Sequence, residues 1–265
     1  MKKLRFSRSQ LCIPYAVFLI FFVIAPLLVI LYYAFTNGEG QFTFANFVNF
    51  FASTNTLGTL LYSFALAITT TIVCLIIAYP TAYILARSEI KKKYVLLLLF
   101  ILPMWINFTL RITALKEILS LIEGNISLHP FLNSVIGMTY DFLPFMILPL
   151  YTSLLKLDNS LLEAASDLGA DKFRVFLRVT LPLSVPGIIS GMTMVLLPSM
   201  TNYVVLDMLY NSTYIMGSLI GSYFSAYDWN NGSMISLVLL IIIFIVTLVT
   251  NRFSDKDANN RGALL

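Results

Sequence analysis

Residues 163–182 read EAASDLGADKFRVFLRVTLP, a polar and basic stretch set between long apolar segments. Asp158, Asn159 and Ser160 just upstream offer helix N-caps. Ser160 and Glu163 have the spacing of a capping box, in which each side chain satisfies the other residue's backbone donor. Leu161, Leu162, Ala164, Ala165 and Leu168 then fill a short helix, and Gly169 stands where a helix end often needs a left-handed residue. Asp171 can cap a second helix, with Phe173, Phe176, Leu177 and Thr180 on one face and Lys172, Arg174 and Arg178 elsewhere on its surface. Pro182 is expected to end that helix and start the next apolar segment. The stretch thus predicts a helix, a glycine turn and an amphipathic helix lying along a membrane surface. An interfacial connector that basic residues hold to anionic lipid also fits these residues.

Working outward, the flanking sequence requires lipid. Apolar residues make up 58% of the chain and charged residues 11%, against about 45–50% and about 25% in soluble domains. Soluble packing cannot hide that much apolar surface, and the apolar segments leave no room for a separate soluble domain. Six segments are long enough to cross a bilayer, at about 20 residues each: 11–35, 57–86, 94–111, 134–155, 183–206 and 233–251. The loop at 156–182 joins the fourth to the fifth. The expectation is an all-α polytopic protein of six transmembrane helices forming a single domain over 1–265. Residues 253–265 read as a short disordered end.

An even number of spans puts both termini on one side, and the basic residues say which. Lys2, Lys3, Arg5 and Arg8 precede the first span. Arg87, Lys91, Lys92 and Lys93 follow the second, and Lys156, Lys172, Arg174 and Arg178 follow the fourth. Arg252, Lys256 and Arg261 follow the sixth, which leaves Arg111 and Lys116 on the opposite face. The positive-inside rule then places both termini and the Glu163 loop in the cytoplasm. Basic clusters beside apolar spans are orientation signals rather than a phosphate-binding face, so no nucleic-acid partner is expected. The first span exceeds a signal-peptide core and lacks a clear cleavage site, so it reads as uncleaved. Cys12 and Cys74 read as thiols without a disulfide or metal role.

The polar loop carries a more specific pattern. Glu163-Ala164-Ala165, then Gly169, then Leu181-Pro182 resembles the EAA loop of ABC importer permeases, with Val179 where that family usually has isoleucine. The resemblance implies the type I ABC importer permease fold. It makes the loop a coupling helix docked on a separate cytoplasmic ATPase: Glu163 would contact the ATPase, Ala164 and Ala165 would permit close approach, and Gly169 would allow the turn. It also implies a bacterial inner-membrane location. The partners would be a second permease subunit, two ATPase subunits carrying ATP and Mg, and an external solute-binding protein. Leu143-Pro144-Phe145-Met146, Leu148-Pro149-Leu150-Tyr151, Pro186-Gly187-Ile188-Ile189 and Leu196-Leu197-Pro198-Ser199-Met200 resemble the permeases of spermidine/putrescine importers. The same architecture serving an anion or iron is the alternative cargo.

No Gly-x-x-x-x-Gly-Lys-Ser/Thr loop occurs, so the chain should bind no nucleotide or other cofactor itself. His129 is the sole histidine and has no cysteine or carboxylate cluster near it in sequence, which argues against a metal site. It also leaves Ser190 without a base for an intramembrane protease. A multi-pass enzyme would need a convergent polar constellation that the spans lack, and a channel would not need the Glu163 loop. Asp141 sits about two turns inside the fourth span, where a carboxylate costs about 2.5–3.5 kcal/mol and usually faces a partner or water. Asp207 closes the fifth span, and Trp105, Tyr140 and Tyr203 lie near the two acids. Carboxylates and aromatic faces suit an alkyl polycation lining a pathway. The same residues suit headgroup-level acids and an interfacial aromatic belt. Tyr210, Tyr214, Tyr223, Phe224, Tyr227 and Trp229 form a second aromatic run, fit for a belt or for docking an external protein.

Overall fold

The computed structural model describes residues 12–88, 91–210 and 215–262. Lys2, Lys3, Arg5, Arg8 and Tyr214 lie outside them. Every regular element among the described residues is helical, and one isolated bridge joins Thr36 to Phe42. The helices are α1 (Cys12–Ala34), α2 (Ala45–Ala52), α3 (Thr54–Arg87), α4 (Lys93–Trp105), α5 (Phe108–Glu123) and α6 (Pro130–Leu155). They continue with α7 (Asn159–Asp167), α8 (Lys172–Thr201), α9 (Tyr203–Tyr210), α10 (Met216–Ser225) and α11 (Trp229–Gly262). Helices α1, α3, α6, α8 and α11 are each long and apolar enough to cross a membrane.

The third of the six expected spans is a bent pair of helices. Helices α4 and α5 meet at 99° across a short break, so the segment expected to span over 94–111 is bent inside that range. Pro103 opens the break, Ile106 is extended, and the Asn107 side chain accepts from the backbone N–H of Thr109 at 3.0 Å and of Leu110 at 3.4 Å. That cap starts a new helix before the first has covered the bilayer. At about 1.5 Å per residue, α4 alone is roughly 20 Å long against a core of about 30 Å.

The structure divides into two compact units. One comprises residues up to 57 together with 219–242. In it, two asparagines close the end of α1. Asn46 Nδ2 donates to the carbonyls of Ala34 and Thr36 at 3.2 and 2.9 Å, and Asn230 Nδ2 donates to those of Tyr33 and Thr36 at 3.1 and 2.6 Å. Helix C-terminal carbonyls have no intrahelical partner, and in lipid such groups must be satisfied by other protein groups. Phe35 packs on Phe42, Phe44 and Phe47 with ring centroids 4.9 to 5.8 Å apart, which folds the following loop back on the helix end. Of the second aromatic run, Phe224 and Tyr227 both pack on Trp229.

The other unit comprises 58–218 together with 243–265. Its core is formed by Leu66, Met138, Met146, Ile147, Leu150, Leu154, Val195 and Leu206, all essentially buried. Helices α6 and α8 pack closely through two glycines. A Cβ placed on Gly187 would stand 2.4 Å from Ser153 Cβ and 3.0 Å from the Pro149 carbonyl, and one on Gly191 would stand 2.6 Å from Met146 Sδ. Small residues let membrane helices approach until backbones nearly touch, which supplies dispersion where lipid removes the hydrophobic drive. The fifth span was expected over 183–206; its helix instead starts at Lys172, breaks at Asn202 and resumes as α9. Beyond Asn251, residues 253–262 continue α11 rather than forming the expected disordered end.

Two prolines are accommodated in the same way. A π-helical turn at Ile20–Ile24 ends just before Ala25-Pro26, and another at Phe176–Thr180 ends just before Leu181-Pro182. In each, the residue before proline donates its N–H five residues back, Ala25 to Ile20 and Leu181 to Phe176. A proline in a regular helix clashes with the carbonyl four residues earlier. A single widened turn relieves that clash without breaking the helix.

Candidate functional site: the Glu163 corner and the Asp141 cluster

The Glu163 corner is built from its caps inward. Asp158, not Ser160, caps α7: its carboxylate accepts from the Ser160 backbone N–H at 3.0 Å. The capping-box reading of Ser160 and Glu163 is therefore corrected, since the cap lies two residues earlier and Glu163 is left exposed on the helix. The Ser160 N–H holds the Asp158 carboxyl below the usual carboxylate range. A depressed carboxyl stabilises the helix above its unfolded pKa, so this cap persists at neutral pH and is lost only as acid pH falls through the lowered value.

The far end of α7 is a Schellman turn. Ala170 N–H donates to the Ala165 carbonyl at 3.1 Å and Gly169 N–H to the Ser166 carbonyl at 2.9 Å. Gly169 has φ +82, in the left-handed region where side chains cost about 1–2 kcal/mol. Asp171 then caps the next helix, accepting from the Arg174 N–H at 2.7 Å. The expected stop at Pro182 is corrected. Lys172 to Thr201 form one unbroken helix, because the π turn carries the chain past the proline.

The corner is fastened to α3. Arg87 donates through Nη1 to the Asn159 side chain and through Nη2 to the Leu157 carbonyl at 3.1 Å. Tyr79 and Tyr83 both meet the Phe176 ring edge-on at 5.7 and 5.8 Å, and the Tyr79 hydroxyl pairs with Ser184 Oγ at 2.9 Å. From sequence, Arg87 read only as an orientation charge; its spacing carries no sign of this long-range contact. Replacing Arg87 with methionine is expected to loosen the N-terminal turn of α7 by about 1–2 kcal/mol. Amide exchange should then speed up about tenfold at residues 157–160 and stay unchanged in α6.

What the corner presents is apolar and poorly covered. Leu168 is 89% exposed and Phe173 69% exposed. Ala165, Leu168, Gly169, Ala170, Val175 and Val179, together with Arg174 and Arg178, line a groove of about 330 Å³. Glu163 and Ala164 are exposed, Ala165 is half-buried, and Leu181 and Pro182 lie at the base of the corner where regular helix resumes.

The residues expected to line a pathway are brought together in part. Asp141 is 6% exposed and forms an ion pair with Arg111, itself 7% exposed. Asn202 Nδ2 donates to the other carboxylate oxygen at 3.3 Å. The Arg111 guanidinium also donates to the Pro103 carbonyl at 3.0 Å, and its carbon lies 5.5 Å from the Tyr140 ring and 5.9 Å from that of Phe108. Asp141 and Tyr140 thus share a partner that sequence reasoning had placed merely at a span's end. Tyr203 follows Asn202 and is exposed, as is Asp207 one turn further along α9. Trp105 is 85% exposed at the α4–α5 break. Lys116 Nζ donates to the Met208 carbonyl at 3.0 Å, near the end of α9, where helix carbonyls favour a cation. Among the described residues, no three His, Cys, Asp or Glu side chains gather as a metal site.

Comparison with known proteins matches residues 78–256 to the family described as binding-protein-dependent transport system inner membrane component. The chain is 37% identical to the spermidine/putrescine transport system permease protein PotB of Haemophilus influenzae, over 98% of both chains. It is 38% identical to the PotB protein of Escherichia coli strain K12, over 74% of this chain and 77% of that one. A bacterial alginate ABC transporter in complex with its periplasmic protein superposes with a TM-score of 0.74 at 14% identity, over 94% of this chain and 93% of that one. The inward-facing MetNI methionine ABC transporter gives a TM-score of 0.62 at 15% identity, over 77% and 99%. At such identities the structural likeness establishes the fold, that of an ABC importer permease.

Proposed function

The chain belongs to the family of binding-protein-dependent transport system inner membrane components, and on that premise we propose that it forms half of the translocation pathway of an ATP-driven importer of polyamines. It is a multi-span permease subunit, and its family works together with an ATPase and further subunits. The observation that carries the cargo reading is the identity with polyamine permeases, which runs through 98% of the chain. The aromatic and acidic residues around Asp141 and Asp207 suit spermidine or putrescine, flexible alkyl chains with two or three ammonium groups.

The complex contains a second permease subunit, two ATPase subunits and an external solute-binding protein, with ATP and Mg on the ATPase. Basic residues at both ends and around the Glu163 corner support a cytoplasmic position for all three. The apolar groove beside Gly169 receives the ATPase, with Glu163, Ala164 and Ala165 on the contacting helix. ATP closes the ATPase pair, and the Glu163 corner moves with it. The bundle then opens outward, the binding protein hands over its cargo, and hydrolysis resets the cycle.

Reconstitution tests this reading. Proteoliposomes holding the two permeases, the ATPase and the binding protein are expected to accumulate radiolabelled spermidine or putrescine only with ATP inside the ATPase compartment. Accumulation of a different solute and of neither polyamine would overturn the cargo.

A further inference from the structure

The cluster on Asp141 holds a cation already. Arg111 occupies one carboxylate oxygen and Asn202 donates to the other. The guanidinium has a second set of attachments that owe nothing to the carboxylate: the Pro103 carbonyl and the faces of Phe108 and Tyr140. Its Nε has no hydrogen-bond partner among the described residues, although it is buried. Buried guanidinium groups are ordinarily satisfied at all their donors. Releasing Asp141 would leave this one the Pro103 carbonyl and the two ring faces, with its charge no longer ion-paired. Tyr140 is partly exposed and gives the cluster an accessible edge.

We propose that Arg111 is a built-in stand-in for the cargo: an ammonium group of the polyamine replaces the Arg111 guanidinium on Asp141, and Arg111 retreats onto Pro103, Phe108 and Tyr140. The carboxylate is paired before and after the exchange, while Arg111 trades its ion pair for the carbonyl and the two rings and the cluster gains the charge of the ammonium. It also sets specificity. A neutral or anionic solute cannot displace a cation from a carboxylate, so Asp141 stays closed to it. The return of Arg111 ejects the cargo once it has moved on, which prevents a buried carboxylate from trapping a polycation. Asn202 and Pro103 stand at the interruptions of α8–α9 and α4–α5. The exchange therefore takes place where both interrupted segments can shift.

The inference rests on the polyamine reading, and the two fail differently. If the cargo is not a polyamine, the unaltered complex takes up none. If only the exchange is wrong, uptake by the unaltered complex is intact. The test measures radiolabelled spermidine bound directly to the purified complex in lipid nanodiscs, without the binding protein, per mole of assembled complex. Arg111→Gln keeps a hydrogen-bond donor for Asp141 but removes the competing charge. It is expected to bind spermidine at least tenfold more tightly than the unaltered complex and to release it more slowly. Arg111→Lys keeps a cation with weaker hold on Pro103 and the rings, and a gain of about two- to fivefold is expected. Adding Asp141→Asn to Arg111→Gln should abolish the gain. Spermidine binding that does not rise in both Arg111→Gln and Arg111→Lys overturns the proposal, as does a gain that survives Asp141→Asn.

Discussion

Glu163→Arg is expected to reduce ATP-driven uptake about a hundredfold while leaving the chain's insertion and amount unchanged. Glu163 is exposed, so surface rules govern its effect on folding, usually within about 0.5 kcal/mol. Its effect on docking is of another size. Truncating one member of a buried charged pair at an interface costs about 2–5 kcal/mol, and placing like charges opposite each other costs several. About 3 kcal/mol corresponds to a little over a hundredfold in the affinity of the corner for its ATPase. Co-purification of the ATPase with the altered permease measures the loss, and Glu163→Gln should lie between the two. Uptake and ATPase recovery both within twofold of the unaltered complex would remove Glu163 from the contact.

Gly187→Leu should act on the opposite property, assembly of the chain itself. A Cβ at Gly187 would already meet Ser153 Cβ at 2.4 Å and the Pro149 backbone at 3.0 Å, and a leucine carries three further carbons into the same space. Overpacking in cores commonly costs about 1–3 kcal/mol and more when backbone must move. Here the backbone of α6 is one of the walls, so at least 3 kcal/mol is expected, with most of the folded chain lost from detergent extracts. Gly187→Ala should cost less, because it adds the Cβ without the three further carbons. The double variant Gly187→Ala with Ser153→Gly is expected to recover a large part of the folded protein. Unchanged thermal stability of Gly187→Leu would show that α6 and α8 do not pack as described.

The fold class was legible because lipid imposes a coarse rule: apolar length marks the segments that can cross. The breaks were not. Nothing in the hydropathy of 94–111 distinguishes a straight helix from one that turns by 99°, because the deciding residues are Pro103 and the polar cap of Asn107, one turn apart. Asn107 is a cap signal that a closer reading could have caught. The corner at 156–182 was largely readable, since Gly169 and Asp171 act through local backbone chemistry. The expected helix end at Pro182 failed because a widened turn can absorb a proline, and no single residue announces such a turn. Arg111 and Arg87 were misjudged for a different reason. Both act across 30 or more positions of sequence, on Asp141 and on Asn159 and Leu157. Pairing at that range emerges from the folded bundle and leaves no periodic trace.

The π turn before Pro182 has a mechanical consequence. Had the proline severed the chain there, movement at Gly169 would have dissipated in a hinge. Instead α8 is a single strut from Lys172 to Thr201, about 45 Å long. Tilting such a strut by about 5° about one end displaces the other by roughly 4 Å, comparable with the width of an ammonium group. On the proposed coupling role, a small shove at the corner would reach Asn202 and Asp141 nearly undiminished.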